Sequence, residues 1–162
     1  MRHLIVLLVG CASTSTTPGK GALPELDYFV GSWRAEAKNP TTGKTFVLEY
    51  TIRPALRGRW YAGSGTAAAL DLEIYDLWGK DAVSGEIVRT IFDSAQTSGT
   101  VRSAGWKGNV LVFEGEVATS GGRVTVRETI EKTGPDEFHA VWEAKTGEAW
   151  SAYSVETLRR QR

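Results

Sequence analysis

The chain is poor in the side chains that carry most protein chemistry. Its 162 residues hold one cysteine, Cys11, and two histidines, His3 and His139. A lone cysteine closes no intramolecular disulfide and builds no thiolate zinc site. If the leader described below is removed, His139 is the only imidazole left. A multi-histidine metal site is then impossible, and any serine–histidine mechanism would rest on that one residue. Charge of one sign is also missing: Lys+Arg and Asp+Glu stand at 19 each, for a net charge of zero. Nucleic-acid binding depends on clustered cations that release counterions, so no nucleic-acid partner is expected. Hydrophobic content of 41% and charged content of 23% indicate neither disorder nor a membrane-spanning domain. The length suits one domain with a single sizeable core.

The first residues have the pattern of an export signal. Met1-Arg2-His3 supplies a positive start, Leu4 to Val9 is an unbroken apolar run, and Leu8-Val9-Gly10-Cys11 approaches a cleavage site through small residues. This resembles the lipobox of bacterial lipoproteins. The resemblance implies a signal peptide over 1–10 and acylation of Cys11, which would anchor the chain to a membrane surface without spanning it. Ala12 stands where an Asp would favour the inner membrane, so the implied address is the bacterial cell envelope with the outer membrane favoured. If the leader is not a signal, the address is cytoplasmic. Residues 11–22 are small and polar, with a Ser/Thr run, Pro18 and two glycines. They are expected to form a flexible tether with a root-mean-square reach of about 18 Å.

From Leu23 onward the pattern is almost wholly that of strands. Pro24 to Phe29 predicts one helical turn ended by Gly31. Nine β-rich runs follow: Trp33 to Lys38, Thr45 to Arg53, Leu70 to Leu77, Glu86 to Asp93, Thr100 to Trp106, Val110 to Val117, Arg123 to Lys132, Glu137 to Lys145 and Ala149 to Thr157. Turn chemistry such as Asn39-Pro40-Thr41-Thr42-Gly43 and Gly134-Pro135-Asp136 separates them. Arg57 to Gly65 fits either a strand edge or a loop at a barrel mouth. Short strands with no helices between them imply an antiparallel meander. The fold class expected for 23–162 is all-β: an antiparallel up-and-down β-barrel of about 9–10 strands.

A helical turn leading into Gly31-Ser32-Trp33 on the first strand resembles the N-terminal signature of the lipocalin (calycin) barrels. The Gly105-Trp106-Lys107-Gly108-Asn109 hairpin and the strand order are similar to uncharacterised bacterial lipocalin-like proteins. The resemblance implies that Gly31 and Trp33 mark the closed end, and that an Arg after the last strand, Arg159 or Arg160, covers the Trp. Small barrels resembling nitrobindins bind haem through one histidine, but their opening motif carries glycines where this chain has Arg34-Ala35-Glu36-Ala37. Haem through His139 is therefore disfavoured, and no cofactor or metal is expected.

Alternation assigns the lining. Trp33, Ala35 and Ala37 share a face, as do Phe46, Leu48, Tyr50 and Ile52; Leu111, Phe113 and Val117; and Phe138, Ala140, Trp142 and Ala144. Glu128 falls on the apolar face of its strand with Val124, Val126 and Ile130. There it is either a polar anchor for a ligand or the partner of an inward Arg. Trp60 sits near a turn, where mouth residues would be. The candidate ligand-binding set is thus Tyr50, Trp60, Phe113, Glu128 and Trp142, for a small apolar or amphipathic molecule bound without catalysis. One alternative is an envelope scaffold with a packed barrel whose outer face docks a protein. Another is an enzyme with Glu128, Tyr50 or His139 as acid or base, which predicts a strongly perturbed ionisable group inside a cleft.

Overall fold

The structure, a computed structural model, describes residues 21–162; Cys11, the leader and all but the end of the expected tether lie outside the described residues. Among the described residues there are ten strands. These are β1 (Gly31–Lys38), β2 (Thr45–Ala55), β3 (Trp60–Ala67), β4 (Leu72–Lys80), β5 (Ile87–Asp93), β6 (Ser98–Ser103), β7 (Val110–Thr119), β8 (Gly122–Lys132), β9 (Glu137–Thr146) and β10 (Ala149–Gln161). Each pairs antiparallel with the next, and β10 returns to β1, so the sheet closes on itself and leaves no free edge. Among the described residues helical geometry is confined to short 3-10 turns at Asp27–Phe29, Leu56–Gly58 and Ala68–Leu70. The expected up-and-down barrel is the fold.

Three elements differ from the sequence expectation. Arg57 to Gly65 resolves into a 3-10 turn and β3, a full strand hydrogen-bonded to β2 and β4. Its inward positions, Tyr61, Gly63, Gly65 and Ala67, are mostly too small to show the apolar alternation by which strands are recognised. The strand expected to end at Trp106 stops at Ser103, because Trp106 folds over the barrel end. Its Nε1 donates to the Glu25 carbonyl at 2.8 Å, and its ring stacks on Phe29 with centroids 5.7 Å apart. The last strand, expected to end at Thr157, instead continues as β10 to Gln161, paired opposite Ser32.

One end of the barrel is plugged by the segment that precedes β1. Leu26, Phe29 and Trp33 are almost wholly buried there among Trp78, Trp106 and Phe138. Trp33 Nε1 donates to the Phe29 carbonyl at 2.7 Å, which ties the 3-10 turn to the first strand. Of the two candidate arginines, Arg160 is the one over Trp33, at 4.1 Å from the ring. The register places Arg160 directly opposite Trp33 with its side chain on the same face. Arg159, one residue earlier, points outward to Glu137. The cover is therefore Arg160, and Arg159 is not part of the barrel end. Its guanidinium also donates to the carbonyls of Val30 and Tyr28 and to Asp136. Gly31 is what lets it approach: φ there is +131°, and a Cβ would stand 2.6 Å from Arg160 Nη1.

Candidate functional site

Behind the plug the lumen is not filled. A cavity of about 360 Å³ runs from Phe29 towards the opposite end, where Asn39, Asp93 and Thr97 stand at its mouth. Most of its wall is apolar, built from the inward positions of β2, β4, β8 and β9: Phe46, Leu48, Ile74, Ile130, Ala140 and Trp142. The space follows from residue size. Ala37 and Ala140 flank Glu156 in the sheet, so the wall recedes at the level of that side chain.

A buried polar cluster interrupts the apolar wall. Arg89 on β5 is 7% exposed, Asp76 on β4 1% and Glu128 on β8 4%. Arg89 Nε and Nη2 both lie 2.7 Å from Asp76 Oδ2, and Nη1 donates to Glu128 Oε2 at 2.6 Å. The Tyr50 hydroxyl donates to Asp76 Oδ2 at 2.5 Å, and Trp78 Nε1 to Asp76 Oδ1 at 2.8 Å. The guanidinium lies between two rings, 4.2 Å from Trp78 and 5.4 Å from Trp142. Burial opposes its charge, but Glu128 and Asp76 outweigh burial and hold Arg89 protonated well above its ordinary range. Burial pushes the Tyr50 hydroxyl up strongly, with the Asp76 charge adding to it. The Glu128 carboxyl is also pushed up by burial, a shift that Arg89 opposes and Asp76 reinforces.

Glu156 on β10 is the group least neutralised by its surroundings. It takes a hydrogen bond from Ser154 Oγ at 2.9 Å, and among the described residues no cation pairs with it. Burial raises its carboxyl to about 7; the Ser154 hydrogen bond opposes the rise, Glu128 adds to it and Arg89 offsets part. Beside it the β9–β10 register slips between Ala152 and Ser154, leaving Tyr153 as the extra residue of a β-bulge. The slip turns Tyr153 towards the cavity mouth, where its ring lies 6.4 Å from Trp142.

The sequence candidates therefore separate. Tyr50, Glu128 and Trp142 line the cavity. Phe113 is fully buried but lies outside the lining, with its ring edge-on to Trp78 at 5.5 Å. Trp60 lies on the outer face, where its ring covers Gly79, and is likewise not part of the lining. Proximity to a turn misplaces it, because Tyr61 rather than Trp60 takes the inward position. His139 is on the outer face near Glu137. For Glu128 the inward Arg of the second reading is Arg89. Sequence reasoning missed Arg89, Asp76 and Glu156, although the signal was there: Ile87-x-Arg89-x-Ile91, Ile74-x-Asp76-x-Trp78 and Ser154-x-Glu156-x-Leu158 each place a charge on an inward row.

Among the described residues no group of three or more His, Cys, Asp or Glu is arranged to hold a metal ion, and no helix is long and apolar enough to cross a membrane. No protein-family model and no curated protein matches the chain. Among solved structures it is similar to a redesigned beta barrel, at 14% identity and a TM-score of 0.40, over 88% of this chain and 100% of that one. At that score the likeness adds nothing to what the strand register already establishes.

Proposed function

We propose that the protein is a lipocalin-like carrier that takes a small apolar or amphipathic molecule into its barrel, held at a bacterial envelope membrane by a lipid on Cys11. The observation that carries the binding reading is the cavity itself. About 360 Å³ falls in the roughly 300–1,000 Å³ range of small-molecule sites, and a mostly apolar wall with a few convergent polar groups is their usual chemistry. Well-packed interiors seldom leave voids larger than a water molecule, so a lumen of this size is not a packing remnant. The anchor reading rests on the Leu8-Val9-Gly10-Cys11 pattern alone.

Native mass spectrometry of the protein purified from cells, with extraction of bound small molecules, tests the binding reading. A co-purifying molecule whose occupancy drops in Trp142→Ala supports it. A clean apo mass, together with no uptake of any hydrophobic probe on titration, sinks it. One observation favours an additional docking role: Tyr75 and Phe92 are cross-strand partners on the outer face of β4 and β5, 64% and 49% exposed. For catalysis, the perturbed carboxyl that an enzyme reading requires is present in Glu156. The hydroxyl of Ser154 is the one protein group that shares a hydrogen bond with it among the described residues, and no imidazole stands by to take that proton.

A further inference from the structure

The polar groups of the cavity narrow the ligand class. Three carboxylates line the space, those of Glu128 and Glu156 and, at its mouth, Asp93, against a single cation, Arg89. Arg89 is also fully engaged. Its fork is taken up by Asp76 and Glu128, and its faces by Trp78 and Trp142. An anionic headgroup would have to break a buried ion pair to reach that guanidinium, and would then meet the carboxylates it displaced. A cationic headgroup breaks nothing. Among the described residues no hydrogen bond reaches Glu128 Oε1 or Glu156 Oε2, so each acid keeps an acceptor for an incoming donor.

The surroundings of Glu156 point the same way. Its neighbours in the sheet are Ala37 on β1 and Ala140 on β9, neither of which can cover or neutralise it. The ionisable groups that act on it from across the lumen are Glu128 on β8 and Arg89 on β5, with Asp76 on β4 behind them and Tyr153 beside it on β10. Arg89 is already bound to two acids. The bulge brings Tyr153 to the mouth beside Trp142, so two aromatic rings border the approach to the acid, the usual complement of an organic cation.

We propose that the ligand is an amphiphile with a protonated amine, its ammonium seated between Glu156 and Glu128 next to Trp142 and Tyr153, and its apolar body along Phe46, Leu48 and Ile74. The proposal rests on the binding reading above and narrows it. Charge-assisted hydrogen bonds from the ammonium to the two free oxygens supply the preference. The carboxyl of Glu156, raised to about 7 by burial, gives the preference a pH signature. Ammonium binding favours the ionised acid, so affinity rises as pH rises through about 7, with a proton released on binding at lower pH.

The test is a calorimetric titration of the purified protein with octylammonium, 1-octanol and octanoate, which share one apolar body and differ at the head. The expected result is an amine bound about tenfold more tightly than the alcohol, and the carboxylate more weakly than either. In Glu156→Gln the advantage of the amine over the alcohol should shrink severalfold and its pH dependence should flatten, while alcohol binding persists and shows that the variant is folded. Equal affinities for the three heads, or a preference for octanoate, would overturn the cation inference yet leave the carrier reading standing. Failure of all three to bind overturns both.

Discussion

At the residue scale, charge without full compensation is the theme of the lumen, and half-buried Glu156 is its sharpest case. Its ordinary value of 4.5 rises to about 7 in the fold. Between those two values the folded chain holds a proton that the unfolded chain has released. Stability attributable to this group is therefore fully present below about 4.5, falls as pH rises through about 7, and is flat above. The loss is on the order of 3 kcal/mol. Glu156→Gln removes the titration and keeps the shape. It should be more stable than the parent at pH ~8, and its stability should decline less between pH ~5 and pH ~8, by urea denaturation at each pH. Some decline remains, because burial raises Glu128 as well. A parent with no decline over that range would show that Glu156 is better solvated or paired than its surroundings indicate. The adjacent Arg159 and Arg160 give a second contrast at this scale. Arg160→Ala strips two backbone carbonyls, Asp136 and the face of Trp33 of their partner. It should cost about 1–3 kcal/mol in denaturant unfolding, whereas Arg159→Ala, on the exposed face, should stay within about 0.5 kcal/mol. Comparable losses for the two would contradict the placement of Arg160 as the cover.

At the element scale, what was legible in the sequence follows from side-chain size. β2, β7, β8 and β9 announce themselves because their inward positions carry Phe46, Phe113, Val126 and Trp142, which alternate visibly with polar neighbours. β3 does not, and its reticence has a cause. Gly63 and Gly65 are small because Tyr50 and Asp76 occupy the space in front of them. A Cβ on Gly63 would overlap the Tyr50 hydroxyl and Asp76 Oδ1, and one on Gly65 would stand 2.6 Å from Tyr50 Cδ2. The strand that makes room for the polar cluster thus hides its own pattern. The bulge at Tyr153 is illegible for a different reason: a one-residue slip is set by pairing between β9 and β10, not by any local signal. Arg89, Asp76 and Glu156 occupied legible inward positions. Their meaning depended on knowing which strands face each other across the lumen, and alternation within one strand does not carry that. Gly63→Ala should push Tyr50 away from Asp76 and cost about 1–3 kcal/mol. Gly134→Ala, with nothing near its Cβ and an ordinary backbone, is the control expected to be close to neutral. Thermal unfolding of the pair decides the point, and a neutral Gly63→Ala would mean that the cluster has slack the packing does not indicate.

At the scale of the whole molecule, the two ends of the barrel are unlike, and this gives the proposed anchor a direction. The described chain enters at the plugged end, where the Gly21 amide donates to Asp27 Oδ1 and the Ala22 amide to the Gly58 carbonyl. The same end presents exposed Leu56 and Val83, with Arg57 and Arg59 beside the former. An apolar tip flanked by cations, as at Leu56, suits the surface of an anionic bilayer. The cavity mouth is at the other end, separated by the length of a strand; about ten residues at ~3.3 Å each, tilted by ~40°, span roughly 25 Å. The expected tether, with a root-mean-square reach of about 18 Å from Cys11, would be shorter than that span. A lipid at Cys11 should therefore hold the plugged end against the membrane and the mouth towards water, so that the ligand exchanges with the aqueous compartment rather than directly with the bilayer. Fluorophores attached to Val83→Cys and, separately, to Gly121→Cys in the turn beside the mouth test the orientation on lipidated protein in vesicles that carry a quencher in their headgroups. The label at 83 should be quenched well above the label at 121. Equal quenching would mean that the barrel has no fixed orientation, and stronger quenching at 121 would turn the mouth towards the membrane and make the bilayer itself the source of the ligand.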